Sequence, residues 1–295
     1  MSEFKSYHPI VNFSYFLFVI AFSCFFMHPV ALFISGVSGF TYSFMTGGKK
    51  ALKANIAYIF IIVLLTGLIN PLFNHEGVTI LAYFKNGNPL TLESVFYGIA
   101  SGFMIVSVIW HFSCYNKIMT SDKFIYLFGK IIPSLSLVLS MVLRFVPKLR
   151  KDLSHIRTAQ KCIGKDISEG NLLTRIKNGM RISSSLILLS LENSIETADS
   201  MKSRGYGLSG RTAYSNFIFS NRDKKALLCI FASGLYTILG CFSTHVSFRY
   251  FPSFKISEFS PFNISVFMAY TILCTSPIII ECWEALKWKS LRQKI

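Results

Sequence analysis

The stretch SMKSRGYGLSG, residues 200–210, places one arginine directly before a glycine at the end of a helical pattern. A guanidinium presents five donors in a planar fork and binds a carboxylate through two hydrogen bonds. Arg204 at an exposed tip is therefore suited to an acidic groove on another protein. A cation in a last helical turn also complements the helix dipole, by about 0.3–1 kcal/mol. The sequence is compatible with both roles.

Sequence patterns that mark catalysis or metal binding do not occur. The string TGGKKA at 46–51 lacks the spacing of the phosphate-binding pattern G-x-x-x-x-G-K-[ST]. His75 and Glu76 are neighbours, but a metal site needs more ligands than two. No nucleophile elbow surrounds Ser183 and the two serines that follow it. We therefore expect a protein that is not an enzyme and that holds neither a cofactor nor a metal.

The composition is that of a membrane protein, with 52% hydrophobic and 15% charged residues and a mean hydropathy of +0.48. A helix needs about 20 apolar residues to cross a hydrocarbon core of ~30 Å. Six windows approach that length, and they cover residues 10–27, 29–45, 52–72, 92–114, 224–243 and 262–283. The predicted fold is an all-α integral membrane protein with about six transmembrane helices and long amphipathic cytoplasmic helices.

Basic residues orient these windows, because Lys and Arg concentrate in cytoplasmic loops. Of the 30 basic residues, 19 lie between positions 117 and 225, whereas the loops 73–91 and 244–261 hold three together. Six spans with both termini in the cytoplasm place the basic segment inside the cell. The net charge of +16 lies beside the spans and therefore indicates contact with anionic membrane lipid rather than with nucleic acid.

The apolar run 124–147 is long enough to span, but Lys130, Pro133 and Arg144 interrupt it. Counting it as a span would put the basic segment outside the cell, so we place it at the membrane interface. The predicted organisation is four transmembrane helices in 1–116, a coupling-helix module in 117–222, and two transmembrane helices with a basic tail in 223–295.

Two amphipathic helices are predicted within the basic segment. The first has apolar residues at three-to-four spacing from Leu135 to Ile163 and should kink at Pro147. The second covers 171–204 and would be about 50 Å long. Its apolar residues share one face, and they are Leu173, Ile176, Met180, Ile187, Leu191, Ile195 and Ala198. We expect this apolar stripe to pack on another long helix.

The two helices end in related strings, AQKCIGKD at 159–166 and ADSMKSRGYG at 198–207. Each string has a glycine where a left-handed C-terminal cap is favoured. We therefore expect Gly164 and Gly205 to end their helices with positive φ. The repetition indicates two equivalent docking ends.

The strings LRFVPKL at 143–149, AQ-x-x-x-G-x-D at 159–166 and SRGYG at 203–207, with NPLFNHEG at 70–77, resemble the transmembrane T component of energy-coupling factor transporters. The resemblance implies two coupling helices that end in Ala-Arg-Gly-like motifs, each bound by one ATP-binding subunit. The motif residues are then Cys162, Ile163 and Gly164 in the first helix and Ser203, Arg204 and Gly205 in the second. Residues beside the motifs would add contacts, namely Lys161, Lys165, Asp166, Tyr206 and Gly207. The first motif has Ile163 where the family has arginine.

The resemblance implies a non-catalytic subunit of an uptake transporter for a vitamin or other micronutrient, located in the cell membrane. Its partners would be two different ATP-binding subunits and one membrane-embedded substrate-binding S component. One alternative is a stand-alone channel or secondary transporter, which should carry ionisable residues inside its spans. Another is a membrane enzyme acting on lipid or an acidic substrate, for which the sequence offers no catalytic constellation.

The predicted topology can be tested by cysteine labelling in a background without native cysteines. A membrane-impermeant reagent added outside intact cells should label Asn88→Cys but neither Lys165→Cys nor Gly210→Cys, because the latter two positions are predicted to face the cytoplasm. Efficient external labelling at position 165 or 210 would rule out the six-span arrangement.

Overall fold

The computed structural model describes residues 3–83, 87–129, 132–168, 170–206, 208, 217–242, 248–256 and 260–292. The prediction of an all-α membrane protein is confirmed. In chain order the α-helices are α1 Pro9–Phe25, α2 Pro29–Tyr58, α3 Leu64–Phe73, α4 Leu92–Ile118, α5 Ser121–Gly129, α6 Pro133–Cys162, α7 Leu172–Ser203, α8 Asn221–Phe242 and α9 Pro261–Arg292. Short antiparallel hairpins join β1 Ile80–Tyr83 to β2 Pro89–Thr91, and β3 Phe248–Arg249 to β4 Lys255–Ile256.

The chain divides into two compact units. The first combines Met1–Thr120 with Phe217–Ile295, and the second is Ser121–Asn216. The first unit therefore contains α1–α4, α8 and α9, and the second contains α5–α7.

Four helical stretches among the described residues are long and apolar enough to cross a membrane: Pro29–Phe73, Leu92–Ile118, Asn221–Phe242 and Pro261–Arg292. The stretch Pro29–Phe73 has 45 residues and includes two of the predicted windows. The predicted window at 10–27 corresponds to α1, a shorter apolar helix of 17 residues. Neither α5 nor α6 is among the candidate spans.

Gly48 interrupts the long stretch that contains α2 and α3. Its φ of 61° and ψ of −153° are not helical, and glycine tolerates them because it lacks Cβ. A straight helix of 45 residues would be about 68 Å long, more than twice the hydrocarbon thickness of ~30 Å. The break at Gly48 thus separates the segments that the sequence predicts as two spans.

Two His-Pro pairs begin the first two helices in the same way. The Nδ1 atoms of His8 and His28 accept hydrogen bonds from the amides of Ile10 and Val30, at 3.3 and 3.2 Å. The proline that follows each histidine occupies the first turn, where a missing N–H costs nothing. These histidines are helix caps.

Helix α4 packs closely on α3 through Gly98 and Gly102, a pair at the G-x-x-x-G spacing. A Cβ atom on Gly98 would lie 2.7 Å from the Thr66 carbonyl oxygen, and one on Gly102 would lie 2.9 Å from the Val63 Cα. Small residues at this spacing let membrane helices approach and gain van der Waals contact. The contact falls on the π-helical turn Ile59–Val63 that precedes α3.

The interior of the first unit is aromatic and contains a small polar network. Its largest fully buried side chains include Trp110, Tyr15, Tyr42, Tyr270, Phe4 and Phe16. The Ser35 hydroxyl lies 2.6 Å from the hydroxyls of Ser23 and Ser107, and 3.3 Å from His111 Nε2. These contacts join α1, α2 and α4, as polar side chains do between membrane helices.

In the second unit, α7 packs on α6 through a face that the sequence did not indicate. Asn178 and Ile182 are its buried residues, and Asn193 on the same face accepts a hydrogen bond of 3.1 Å from Lys148 Nζ on α6. The predicted apolar stripe lies on the opposite face, with Leu173 81% and Met180 62% exposed. The prediction that this stripe packs on another long helix of the chain was wrong.

The close α3–α4 contact predicts opposite effects for two Gly→Ala changes. Gly102→Ala should lower the free energy of unfolding by about 1–3 kcal/mol, because the added methyl group overfills the contact. Gly179→Ala on α7 should raise it by about 0.5–1 kcal/mol, because its Cβ meets no atom within 4 Å and alanine favours helix. Thermal unfolding in detergent measures both. A stabilising effect at both positions would contradict the close packing.

Candidate functional site

Helix α6 ends in a backbone motif built around Gly164. The C-cap residue is Ile163, with φ −101° and ψ 19°, and Gly164 follows with φ 68°. The Gly164 amide donates to the Lys161 carbonyl at 3.0 Å, and the Lys165 amide donates to the Gln160 carbonyl at 2.9 Å. This pair of bonds defines a Schellman motif, which satisfies carbonyls that the helix end would leave unpaired.

Helix α7 ends in the same motif, built around Gly205. Arg204 is the C-cap residue, with φ −84° and ψ 8°, and Gly205 has φ 76°. The amides of Gly205 and Tyr206 donate to the carbonyls of Lys202 and Met201, both at 3.1 Å. The predicted positive φ at both glycines is confirmed.

Ile163 and Arg204 therefore occupy matching positions on two equivalent helix ends. We call residues 162–164 the α6 tip and residues 203–205 the α7 tip. Ile163 is 59% exposed, and the side chains of Cys162, Ser203 and Arg204 are exposed as well. The flanking side chains of Lys161, Lys165 and Tyr206 are also exposed, and Gly207 lies outside the described residues.

The Arg204 side chain takes no part in capping the helix. The carbonyls of Met201 and Lys202 are already paired with backbone amides. Arg204 borders a crevice that Arg144 and Glu196 also line. Within the part of the chain that the structure describes, its guanidinium makes neither a hydrogen bond nor an ion pair. It is thus available to an external carboxylate.

Asp166 has a different role from its neighbours in the α6 string, because its carboxylate is buried. It is 2% exposed and accepts hydrogen bonds from the Ile167 amide at 2.7 Å, the Ser168 hydroxyl at 2.5 Å and Arg157 Nε at 3.4 Å. Its own carbonyl accepts a bond of 3.1 Å from Asn178 Nδ2 on α7. Asp166 thus fixes the turn that joins the two long helices.

Hydrogen bonding keeps Asp166 ionised. The Ser168 hydroxyl lowers the pKa of Asp166 most, burial opposes this effect, and the Ile167 amide and Arg157 add to the lowering. A carboxylate whose pKa is lowered by folding stabilises the fold above its ordinary pKa. That stabilisation is lost as the pH falls through the lowered value.

The outward stripe of α7 forms a large apolar surface beside the two tips in sequence. A shallow apolar depression on it is lined by Met180, Ile187, Leu188 and Leu191, with Gly179, Ser183 and Ser184. Exposed apolar patches of this kind mark contacts with other proteins or with membranes. The sequence revealed the stripe but not the face that α7 presents to α6.

Sequence reasoning did not identify Arg157 and Asn178 as the partners of Asp166. A local signal was present, because Asp followed two residues later by Ser is typical of turns in which the carboxylate bonds to nearby donors. The partner on α7 gave no signal, since Asn178 lies twelve residues further along the chain. Only the packing of α6 against α7 brings these groups together.

Together these features define a class of protein, an α-helical integral membrane protein that also carries two long helices with matched, exposed ends. The CbiQ family, described as a cobalt transport protein, matches residues 5–214. A protein of Clostridium kluyveri is 30% identical over 237 residues, which cover 75% of this chain and 80% of that protein. It is an energy-coupling factor transporter transmembrane protein, EcfT.

Shorter alignments join the chain to other proteins of the same description. The EcfT protein of Streptococcus thermophilus is 37% identical over 102 residues, and that of Lactococcus lactis is 40% identical over 106 residues. These alignments cover 34% and 36% of this chain, and 39% and 40% of the two relatives. The chain belongs to the CbiQ family and is a transmembrane T component of the energy-coupling factor type.

The buried carboxylate predicts that Asp166→Asn loosens the α6–α7 turn. An amide cannot accept all three bonds, so hydrogen exchange of the backbone amides at 160–178 should quicken by about tenfold. Wild-type exchange protection should fall in the same segment when the pH drops through the lowered pKa of Asp166. Asp199→Asn, on an exposed side chain of α7, is the matched control. Equal protection in both variants would show that Asp166 does not fix the turn.

Proposed function

We propose that this chain is the coupling subunit of an uptake transporter for a vitamin or other micronutrient. In this proposal it binds two ATP-binding subunits in the cytoplasm and one membrane-embedded substrate-binding S component. Both chain termini lie in the cytoplasm, and hydrolysis of ATP takes place in the partners. The observation that carries the proposal is the matched geometry of the α6 and α7 tips, which presents Ile163 and Arg204 at equivalent exposed positions.

Two equivalent helix ends suit a pair of related partners. Each tip is a glycine-terminated helix end whose carbonyls are internally paired, so its side chains are free to contact another protein. An ATPase pair provides two related grooves. One tip in each groove ties the spacing of the tips to the spacing of the two ATPase subunits.

The chemistry of the tips is unequal although their backbones match. Arg204 can bind a carboxylate through two hydrogen bonds, whereas Ile163 offers apolar contact only. Lys161 and Lys165 supply charge beside Ile163, but as flexible point charges without the planar fork of arginine. We infer that the groove for the α6 tip is less acidic than the groove for the α7 tip. The two ATP-binding subunits are therefore different proteins.

The outward stripe of α7 is assigned to the S component. A membrane protein presents an apolar surface, and the stripe offers one on a helix whose opposite face is held by α6. Coverage by the S component would remove the exposed apolar side chains from water, which is favourable by about 25 cal/mol per Å² of apolar area. The same helix would then contact an ATPase at its tip and the S component along its length.

Transport follows from rigid transmission between these contacts. ATP binding closes the ATPase pair, and the spacing of the two grooves changes. The tips move with the grooves, and the turn fixed by Asp166 keeps α6 and α7 from moving independently. The stripe of α7 then shifts against the S component. Each ligand state favours one arrangement of a two-state element, as coupling requires.

The proposal predicts that Arg204→Ala weakens copurification of the ATP-binding subunits more than Ile163→Ala does. Loss of one member of a buried charge pair costs about 2–5 kcal/mol, against about 1–3 kcal/mol for a buried Ile contact. Pull-down of each variant at low and at high salt measures the difference, because salt screens only the arginine contact.

Lys202→Ala is the control, since it removes a neighbouring exposed cation from the same helical turn. It should leave copurification close to wild type. Equal losses for Arg204→Ala and Ile163→Ala, with equal salt sensitivity, would show that Arg204 serves only the helix dipole. Absence of any ATPase from the wild-type pull-down would refute the coupling function itself.

A further inference from the structure

The first turn of α8 is tied to both ends of the chain by a cluster of charged and polar side chains. Helix α8 follows the unit that contains α6 and α7, so this turn is where the chain re-enters the membrane-spanning unit. The cluster joins Ser6, Tyr7 and His8 of the N-terminal segment to Arg222 and Asp223 at the start of α8, and to Glu284 near the end of α9. We call these six residues the return clamp.

Asp223 forms the buried half of the return clamp. It is 3% exposed, and its Oδ2 accepts from the Ser220 amide at 2.9 Å and the Ser220 hydroxyl at 2.7 Å. The Ser220 hydroxyl accepts in turn from the Asp223 amide at 3.3 Å, which completes a reciprocal capping box. The second carboxylate oxygen, Oδ1, accepts from the His8 amide at 3.2 Å. One carboxylate therefore caps α8 and holds the start of α1.

Arg222 forms the other half and makes contacts in three directions. Its NH1 lies 3.3 Å from Glu284 Oε1, its NH2 donates to the Ser6 hydroxyl at 3.1 Å, and its guanidinium carbon lies 4.2 Å from the centre of the Tyr7 ring. Glu284 is mostly buried, with 14% of its side chain exposed. A planar guanidinium can bond a carboxylate and stack on an aromatic ring simultaneously, which lysine cannot do.

A capping box alone would be enough to begin a helix. The return clamp goes further, because its bonds reach residues 62 and more than 200 positions away in sequence. They fix the first turn of α8 against α9 and against the N-terminal segment. A displacement applied to the chain before Asn221 is then passed to three elements rather than to α8 alone.

We propose that Arg222 and Asp223 are positioning residues that make α8 and α9 move as one body when α7 is displaced by the ATPases. This inference rests on the proposed coupling function. A lever transmits work only where its anchored end does not slip, and a coupling free energy is lost when an intervening contact yields first. Weakening the clamp should leave docking intact and let α8 slip past α9 in a nucleotide-dependent way.

The test uses the complex with its ATP-binding subunits and two native cysteines. Cys229 on α8 and Cys282 on α9 are both exposed and accept spin labels once the other five cysteines are replaced. The distance between the labels is measured without nucleotide and with magnesium and a non-hydrolysable ATP analogue. In the wild type this distance should not depend on nucleotide.

In Arg222→Ala the nucleotide should raise the population with an altered distance by about fivefold, the factor expected for loss of a partly exposed charged contact. Glu284→Gln should act in the same direction and leaves the Asp223 capping box in place. Lys224→Ala removes an exposed cation from the same turn and should behave as the wild type.

Three results would overturn the inference. The first is a nucleotide-independent distance in Arg222→Ala and Glu284→Gln. The second is equal broadening with and without nucleotide, which would assign the return clamp to stability alone. The third is a wild-type chain that retains no ATP-binding subunit, in which case the proposed function falls as well. If the wild type binds its ATPases and only the variants behave like Lys224→Ala, the coupling function stands and the clamp does not.

Discussion

Unpaired backbone groups at helix ends are the constraint on which this structure depends. Four amides and four carbonyls lack intrahelical partners at the two ends of every helix, and hydrocarbon offers them no water. The chain meets this constraint with different side chains in different places. His8 and His28 cap the first two helices, Gly164 and Gly205 let α6 and α7 close on their own amides, and Ser220 with Asp223 caps α8.

The same constraint separates shape from chemistry at the α6 and α7 tips. Backbone bonds alone form both Schellman motifs, so the side chain at the C-cap position has no structural duty there. Ile163 and Arg204 can therefore differ without any change in the path of the chain. Such an arrangement lets each tip match its own partner while both remain at a fixed place on the helix.

The sequence predicted those features that depend on near neighbours. Apolar windows mark the helices of the membrane-spanning unit, and a glycine after a periodic pattern marks a left-handed cap, as Gly164 and Gly205 show. Periodicity located the apolar stripe of α7 but not its neighbour. An apolar stripe indicates that some surface covers it, and here that surface is not α6, which contacts Asn178 and Asn193 on the other face.

Features that join distant parts of the chain left no such pattern. The buried role of Asp166 depends on Asn178 across a turn, and that of Asp223 depends on the His8 amide at the opposite end of the sequence. Gly98 and Gly102 carry a recognisable spacing, yet the spacing does not say that α3 is the partner. Charge and hydropathy place residues in a compartment, whereas these contacts require the folded path.

The membrane-spanning unit is discontinuous in sequence, and this has a consequence for synthesis on the ribosome. Its first part ends at Thr120 and its second begins at Phe217, with the whole of the other unit between them. At about 5–20 residues per second, translation of the intervening segment takes on the order of 10 s. Throughout that delay the Tyr15 hydroxyl lacks the Cys274 carbonyl that it reaches in the finished fold at 3.2 Å. The early helices must therefore persist in the membrane as a partial bundle until α8 and α9 are inserted.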